Sequence, residues 1–148
     1  MTKFKFSLQK ILDLRLFEKE QAELELGKVN AKIAKVNQAL DKIAQDRARV
    51  SRQVSSTSDF DFSASSQKFF HLLDQRQEDC YQQLAVLNIE ADEKRELVRL
   101  AMQKVKALEK MKDHKREEWE EDYKAEEKQI LDHIATVKNS MTVMELQG

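Results

Sequence analysis

Three histidines, one cysteine and 27 acidic side chains are the residues of this 148-residue chain that could do chemistry. His71, His114 and His133 are widely separated in a helical sequence and cannot converge on one metal within a monomer. No HExxH pattern and no paired Cys/His spacing occurs, and the lone internal Gly27 leaves no glycine loop to cradle a phosphate. Cys80 has no base and no orienting group beside it, so its expected role is that of a small buried side chain. A single cysteine also excludes an intramolecular disulfide and fits a reducing compartment. The abundant carboxylates lie on helical surface with nothing to desolvate them, which leaves no pair poised as acid and base. An enzyme, a metal centre and a bound cofactor are therefore not expected.

The elements that would have to position such residues point elsewhere. Glycine occurs only at positions 27 and 148, proline is absent and 36% of residues are charged, so tight turns have almost no raw material. Between residues 66 and 146, apolar or small side chains recur as Phe70, Leu73, Cys80, Leu84, Leu87, Ala91, Val98, Ala101, Val105 and Leu108. Their steps of three and four, with slots at Gln77 and Lys94 filled by polar residues, form a heptad seam. A matching stripe runs through Ala22, Leu26, Val29, Ile33, Val36, Leu40 and Ile43, then Arg47, Val50 and Val54. At about 1.5 Å per residue, an 80-residue helix would be a rod on the order of 120 Å long. The expected fold is all-α: a long antiparallel two-helix coiled-coil hairpin with an extended C-terminal helix. It forms a single elongated domain, residues 1–148, with helix 1 over about 7–54, a turn over 55–66 and helix 2 over about 67–146.

Charge agrees with that pairing. Residues 1–54 hold twelve Lys/Arg against seven Asp/Glu, whereas the rest holds 14 against 20, so the halves attract. Each exposed pair contributes only about 0.2–1 kcal/mol and is screened by salt, which supports the hairpin without causing it.

The chain opens on Phe4 and Phe6, with Ser7 as expected N-cap and Phe6 packing on Ile11 as a hydrophobic staple. Gly27 falls beside the stripe, either tolerated at about 1 kcal/mol relative to Ala or marking a close approach. Residues 55–66 are rich in Ser, Thr and Asp, which bond their own backbones and compete with helix, so Ser63 or Ser66 is the expected cap of the second helix. Within that stretch Phe60 and Phe62 either fold over the hairpin's end near Phe69 and Phe70 or form a docking tip. If Val54 faces Phe70, then Leu26 faces Val98, Leu40 faces Leu84, and Phe4 and Phe6 lie beside Trp119. The first helix then ends near residue 120 of the second, leaving about 25 residues without an intrachain partner. Tyr123, Ile130, Ile134, Val137, Met141 and Met144 still form an apolar stripe there. That stripe binds a partner, associates with a second copy, or folds back as a third helix.

Residues 109–128 carry fifteen charges in twenty positions and read as a solvated face, although seven acids against Lys124 in 117–127 could steer toward a basic partner. The basic stretch 28–52 lacks interleaved aromatics, and the facing helix is expected to neutralise it, so nucleic-acid binding is not expected. No run of eighteen apolar residues and no signal-peptide core is present, so a soluble cytoplasmic protein is expected.

Three segments resemble one family in the right order. The opening Phe4-Lys5-Phe6-Ser7-Leu8-Gln9-Lys10-Ile11-Leu12-Asp13-Leu14-Arg15 looks like the start of FliJ, a small coiled-coil component of the bacterial flagellar export apparatus. The stretch Gln67-Lys68-Phe69-Phe70-His71-Leu72-Leu73 is similar to the family's aromatic entry into its second helix. Ala107-Leu108-Glu109-Lys110-Met111-Lys112, followed by Glu126-Glu127-Lys128-Gln129-Ile130-Leu131-Asp132-His133-Ile134-Ala135, resembles its C-terminal block, with His133 where an acidic residue is expected.

The resemblance implies a non-enzymatic stalk of type III protein export, serving flagellum biogenesis and through it motility and chemotaxis. Such stalks engage the ring of the flagellar export ATPase and the cytoplasmic domain of the membrane export gate, and escort export chaperones. They reach the inner membrane only through protein partners. On this reading Phe4, Phe6, Trp119, Tyr123, Ile130, Ile134, Val137 and Met141 face the ATPase, while Phe69, Phe70 and Leu73 face the gate. The equivalent stalk of an injectisome secretion system and a self-associating structural tether remain as alternatives.

Overall fold

Three residues, Thr57, Ser58 and Asp59, separate the two helices of the computed structural model, which describes residues 3–147. Helix α1 spans Gln9–Ser56 and α2 spans Phe60–Gln147; no strand occurs among the described residues. The helical hairpin expected from the heptads is the observed fold.

The turn is shorter than the expected 55–66, and the cap is Asp59 rather than Ser63 or Ser66. The Asp59 carboxylate accepts from the amides of Asp61 at 3.0 Å and Phe62 at 3.4 Å, satisfying two of the first-turn donors that a helix leaves unpaired. Its own amide donates to the Thr57 hydroxyl at 3.3 Å, and its carbonyl accepts from Ser63 at 3.1 Å. The serines that were expected to break the helix instead bond backward along it. Ser55 donates to the Ser51 carbonyl and Ser56 to that of Gln53, both at 3.0 Å, while Ser66, buried at 4% exposure, donates to Phe62 at 2.8 Å. A hydroxyl satisfied by a carbonyl three or four residues earlier no longer competes with the ladder.

The start of α1 also differs by a detail. The first turn is closed by backbone, Gln9 donating to the Phe6 carbonyl at 3.1 Å and Leu12 to that of Leu8 at 2.9 Å. Ile11 stays 44% exposed while Leu12, at 3%, turns inward, so the side chain that anchors this turn is one position later than the staple expects.

The chain divides into two units. In the unit of residues 17–102, α1 packs antiparallel on α2 through the two heptad stripes. Ala22, Leu26, Val29, Ile33, Val36, Leu40, Ile43, Arg47, Val50 and Val54 are all buried or half-buried, as are the α2 positions from Phe70 to Ala101, the slots at Gln77 and Lys94 included. Val29, Leu73 and Ala91 are the most deeply closed, and each large side chain so buried contributes about 1.5–3 kcal/mol. Arg47 sits in this apolar row because its stem packs while its guanidinium leaves the row. It pairs with Asp74 and lies 5.9 Å from the centre of the Phe70 ring. The expected register puts Arg47 opposite Gln77, and the two line one groove; the long Arg47 side chain reaches on along α2 to Asp74. Gly27 has nothing within 4 Å of where a Cβ would stand and no positive φ, so no close approach explains it.

In the unit of residues 3–16 with 103–147, the first turns of α1 pack on the second half of α2, with Leu12 and Val105 at 3% exposure as its core. Among the described residues no helix is long and apolar enough to cross a membrane.

Candidate functional site

Phe4 precedes α1, and α2 carries Trp119 to it, because the seam continues from Val105 and Leu108 through half-buried Lys112 to Trp119. Their rings stand 6.1 Å apart at 52°, and Tyr123, one turn further along α2, stacks on Trp119 at 5.5 Å. Arg116 covers Phe4, its guanidinium 5.6 Å from the ring centre. Phe6 shares with Phe4 and Trp119 an open groove of about 420 Å³, whose rim carries Lys3, Lys5 and Lys115. On the outer side of α2, Glu118 receives both Lys115 at 3.4 Å and, when protonated, His114 at 3.3 Å. The expected meeting of the aromatic opening with Trp119 is therefore present.

Tyr123 is the last half-buried residue. Every described position from 124 to 147 is exposed, and α2 continues unbroken through all of them. The charged run does not interrupt it, so the stretch does not turn back as a third helix. Ile130, Ile134, Val137 and Met141 stand 54%, 52%, 44% and 59% exposed, with Leu131 and Met144 beside them. The polar side chains here serve their own helix: Thr136 and Thr142 donate to the carbonyls four residues back, at 2.9 and 3.0 Å. Within 109–128 only Lys112, Trp119 and Tyr123 leave the exposed class, in keeping with a wet face.

The unit of residues 17–102 holds the other expected site residues. Leu73, at 1% exposure, is a core side chain of the seam and has no surface to offer a partner. Phe69 and Phe70 are half-buried, and Leu72, not expected as a surface residue, is 41% exposed. The two aromatics of the old turn region divide. Phe62 is half-buried, whereas Phe60, in the first turn of α2, is 83% exposed. The heptad seam also hides a second set of apolar residues from view. Val86, Ile89, Leu97 and Leu100, at steps of three, eight and three along one side of α2, are 41–66% exposed.

Electrostatics in this site is that of solvated helix surface. The Glu25 carboxyl is held below its ordinary range, first by a hydrogen bond from Lys28 at 3.0 Å and then by that lysine's charge. Glu96 is lowered likewise by Arg99, which donates from Nε at 2.8 Å. Among the described residues no three His, Cys, Asp or Glu side chains gather as metal ligands. The arrangement offers apolar and aromatic surface with charged edges, which is chemistry of contact.

Residues 4–140 match the family described as FliJ, flagellar FliJ protein. No curated protein and no solved structure matches the chain.

Proposed function

This chain belongs to the flagellar FliJ family, a coiled-coil component of flagellar export, and we propose that it acts as a stalk between the export ATPase and the export gate. In this reading Phe4, Phe6, Trp119 and Tyr123, together with Ile130, Ile134, Val137 and Met141, enter the ATPase ring. Phe69 and Phe70, with the exposed Phe60 and Leu72 beside them, meet the cytoplasmic domain of the gate. Leu73 supports that surface from beneath. Export chaperones are escorted on the same chain, and association with the inner membrane is peripheral, through these protein partners.

The observation that carries the reading is the uncovered apolar stripe of α2. A helix that keeps Ile130, Ile134, Val137 and Met141 about half exposed holds ready contact area, whose burial by a partner is favourable at about 25 cal/mol per Å² before the costs of association. Nothing in the chain performs a reaction on this view; the stalk changes the assembly or turnover of the ring that it enters.

The test is ATP hydrolysis by the flagellar export ATPase at a concentration where its ring is only partly assembled, with and without this chain. Stimulation by the native chain, lost on Ile134→Asp with Val137→Asp while helicity is retained, is the expected result. A photo-crosslinker at Ile134 should then capture the ATPase. Capture of the gate domain alone would overturn the assignment, and absence of stimulation together with concentration-dependent self-association would return the chain to a structural tether.

A further inference from the structure

The groove where the opening of the chain meets α2 is lined, Ser7 apart, by two kinds of side chain. Phe4, Phe6 and Trp119 are half-buried, and Lys3, Lys5 and Lys115 are exposed around them. No carboxylate lines it. Its volume of about 420 Å³ is that of a cleft able to take a bulky side chain with its neighbours.

Charge around this groove is sorted by face. At 100° per residue, Lys112, Lys115 and Arg116 lie within about 60° of Trp119 on α2. Asp113, Glu117, Glu118, Glu120 and Glu121 lie about 100° or more away from it. Asp122, at about 60°, is the one acid between residues 110 and 123 on the Trp119 side. From the other wall come Lys3 and Lys5, in a stretch, residues 3–12, that holds no acid. Among the described residues Lys3, Lys5 and Arg116 make no ion pair within 4 Å, and Arg116 instead covers the Phe4 ring. Lys115 meets Glu118 at 3.4 Å, but both side chains are half or more exposed, so a competing carboxylate displaces little. An aromatic floor with an ammonium rim thus stands on a segment whose acids face elsewhere.

We propose that this groove takes a short acidic segment of a partner protein, one bulky apolar side chain entering between Phe4, Phe6 and Trp119 and the flanking carboxylates meeting Lys3, Lys5 and Lys115. The aromatic contact supplies affinity, and the lysines supply on-rate and discrimination against basic segments. Single-stranded nucleic acid also combines stacking with negative charge, yet it suits the site less well. A phosphate backbone running on along α2 meets the seven acids of residues 117–127, whereas a short peptide ends before them. The chemistry of the segment is read from the groove itself; that the ATPase carries it rests on the reading above. The titration below contains no ATPase, so either can fail alone.

The probe is a synthetic peptide without tryptophan, a central Leu-Phe pair flanked on each side by glutamates, titrated into the full chain at moderate salt. Trp119 is the only tryptophan and lines the groove, so its emission reports occupancy and should move to the blue as water leaves. One control peptide carries lysines in place of the glutamates, and a second carries Ala-Ala in place of Leu-Phe. The acidic Leu-Phe peptide should bind at least tenfold more tightly than either control. Lys3→Glu with Lys5→Glu should lower its affinity at least tenfold and leave far-ultraviolet circular dichroism unchanged, because both side chains are exposed and precede α1. Equal binding of the acidic and basic peptides, or binding indifferent to the lysine variant, would overturn the proposal. So would equal binding of the Ala-Ala peptide, which would mean attraction of charge without a groove, or tighter binding of an oligothymidylate than of the acidic peptide.

Discussion

Truncating one leucine of the seam and one isoleucine of the stripe after Tyr123 separates the part of α2 that holds the fold from the part that does not. Leu73 is 1% exposed, so Leu73→Ala removes its contacts and leaves a cavity between the helices, a change that costs about 2–5 kcal/mol. For a chain of this size each kcal/mol moves the melting temperature by about 2–4 °C, so a cost near 3 kcal/mol lowers it by about 6–12 °C. Ile134, by contrast, is 52% exposed, in a stretch of α2 where every described residue is exposed. Ile134→Ala therefore removes little burial, and the better helix propensity of Ala returns a few tenths of a kcal/mol, so the net change should stay within about 0.5 kcal/mol. Thermal and urea unfolding followed by far-ultraviolet circular dichroism reads both variants, at two protein concentrations tenfold apart. The reasoning fails if Ile134→Ala destabilises as much as Leu73→Ala at either concentration, because the stripe would then be covered by the chain itself or by a second copy. It fails equally if Leu73→Ala costs less than about 1 kcal/mol, since the seam would not be what holds the helices together.

Asp59→Ala should destabilise by about 0.5–2 kcal/mol, because the amides of Asp61 and Phe62 lose the carboxylate that caps them; Asp59→Asn should recover most of this in the same unfolding assay. Gly27→Ala should stabilise by about 1 kcal/mol, since the added methyl meets nothing within 4 Å and the backbone there is already helical. Trp119 is the only tryptophan, so its emission reports the cluster with Phe4 and Tyr123 directly. Phe4→Ala should shift that emission to the red and speed amide exchange over the first turns of α1, leaving exchange at Val29 and Ala91 unchanged. The Glu25 carboxyl should titrate below the ordinary Glu range by carbon-detected NMR, and Lys28→Ala should return it upward. A carboxyl lowered in the folded state favours folding at pH above its unfolded value, and that contribution disappears as the pH falls through the lowered one.

The heptad seam was legible because burial along a two-helix contact leaves a strict mark: every slot from Ala22 to Val54, and from Phe70 to Leu108, must be small, apolar or able to fold its polar end outward. Arg47, Gln77 and Lys94 met that condition with long stems, which is why polar residues in the row did not break it. Composition misled at the turn. Ser and Asp favour caps and turns in general, yet whether a hydroxyl caps a helix or bonds back into one depends on which carbonyl is within reach. With Asp59 fixing the first turn of α2, Ser63 and Ser66 fall inside the helix, and the turn shrinks to three residues.

The contact surfaces were legible only in part, for a physical reason. An apolar row that pairs two straight helices must follow 3.5 residues per turn, and only supercoiling keeps it aligned, so a long seam stands out from any other pattern. Over four turns a row of period 3.5 and one of period 3.6 drift apart by only about 40°, too little to separate by counting. Val86, Ile89, Leu97 and Leu100 were therefore absorbed into the general helical pattern until their exposure distinguished them. The stripe from Ile130 to Met141 escaped this because no first-helix residues remain to pair with it. Burial measured residue by residue is what separates an internal seam from an open one, and on this chain the open rows follow α2 beyond Tyr123 and along its outer side from Val86 to Leu100.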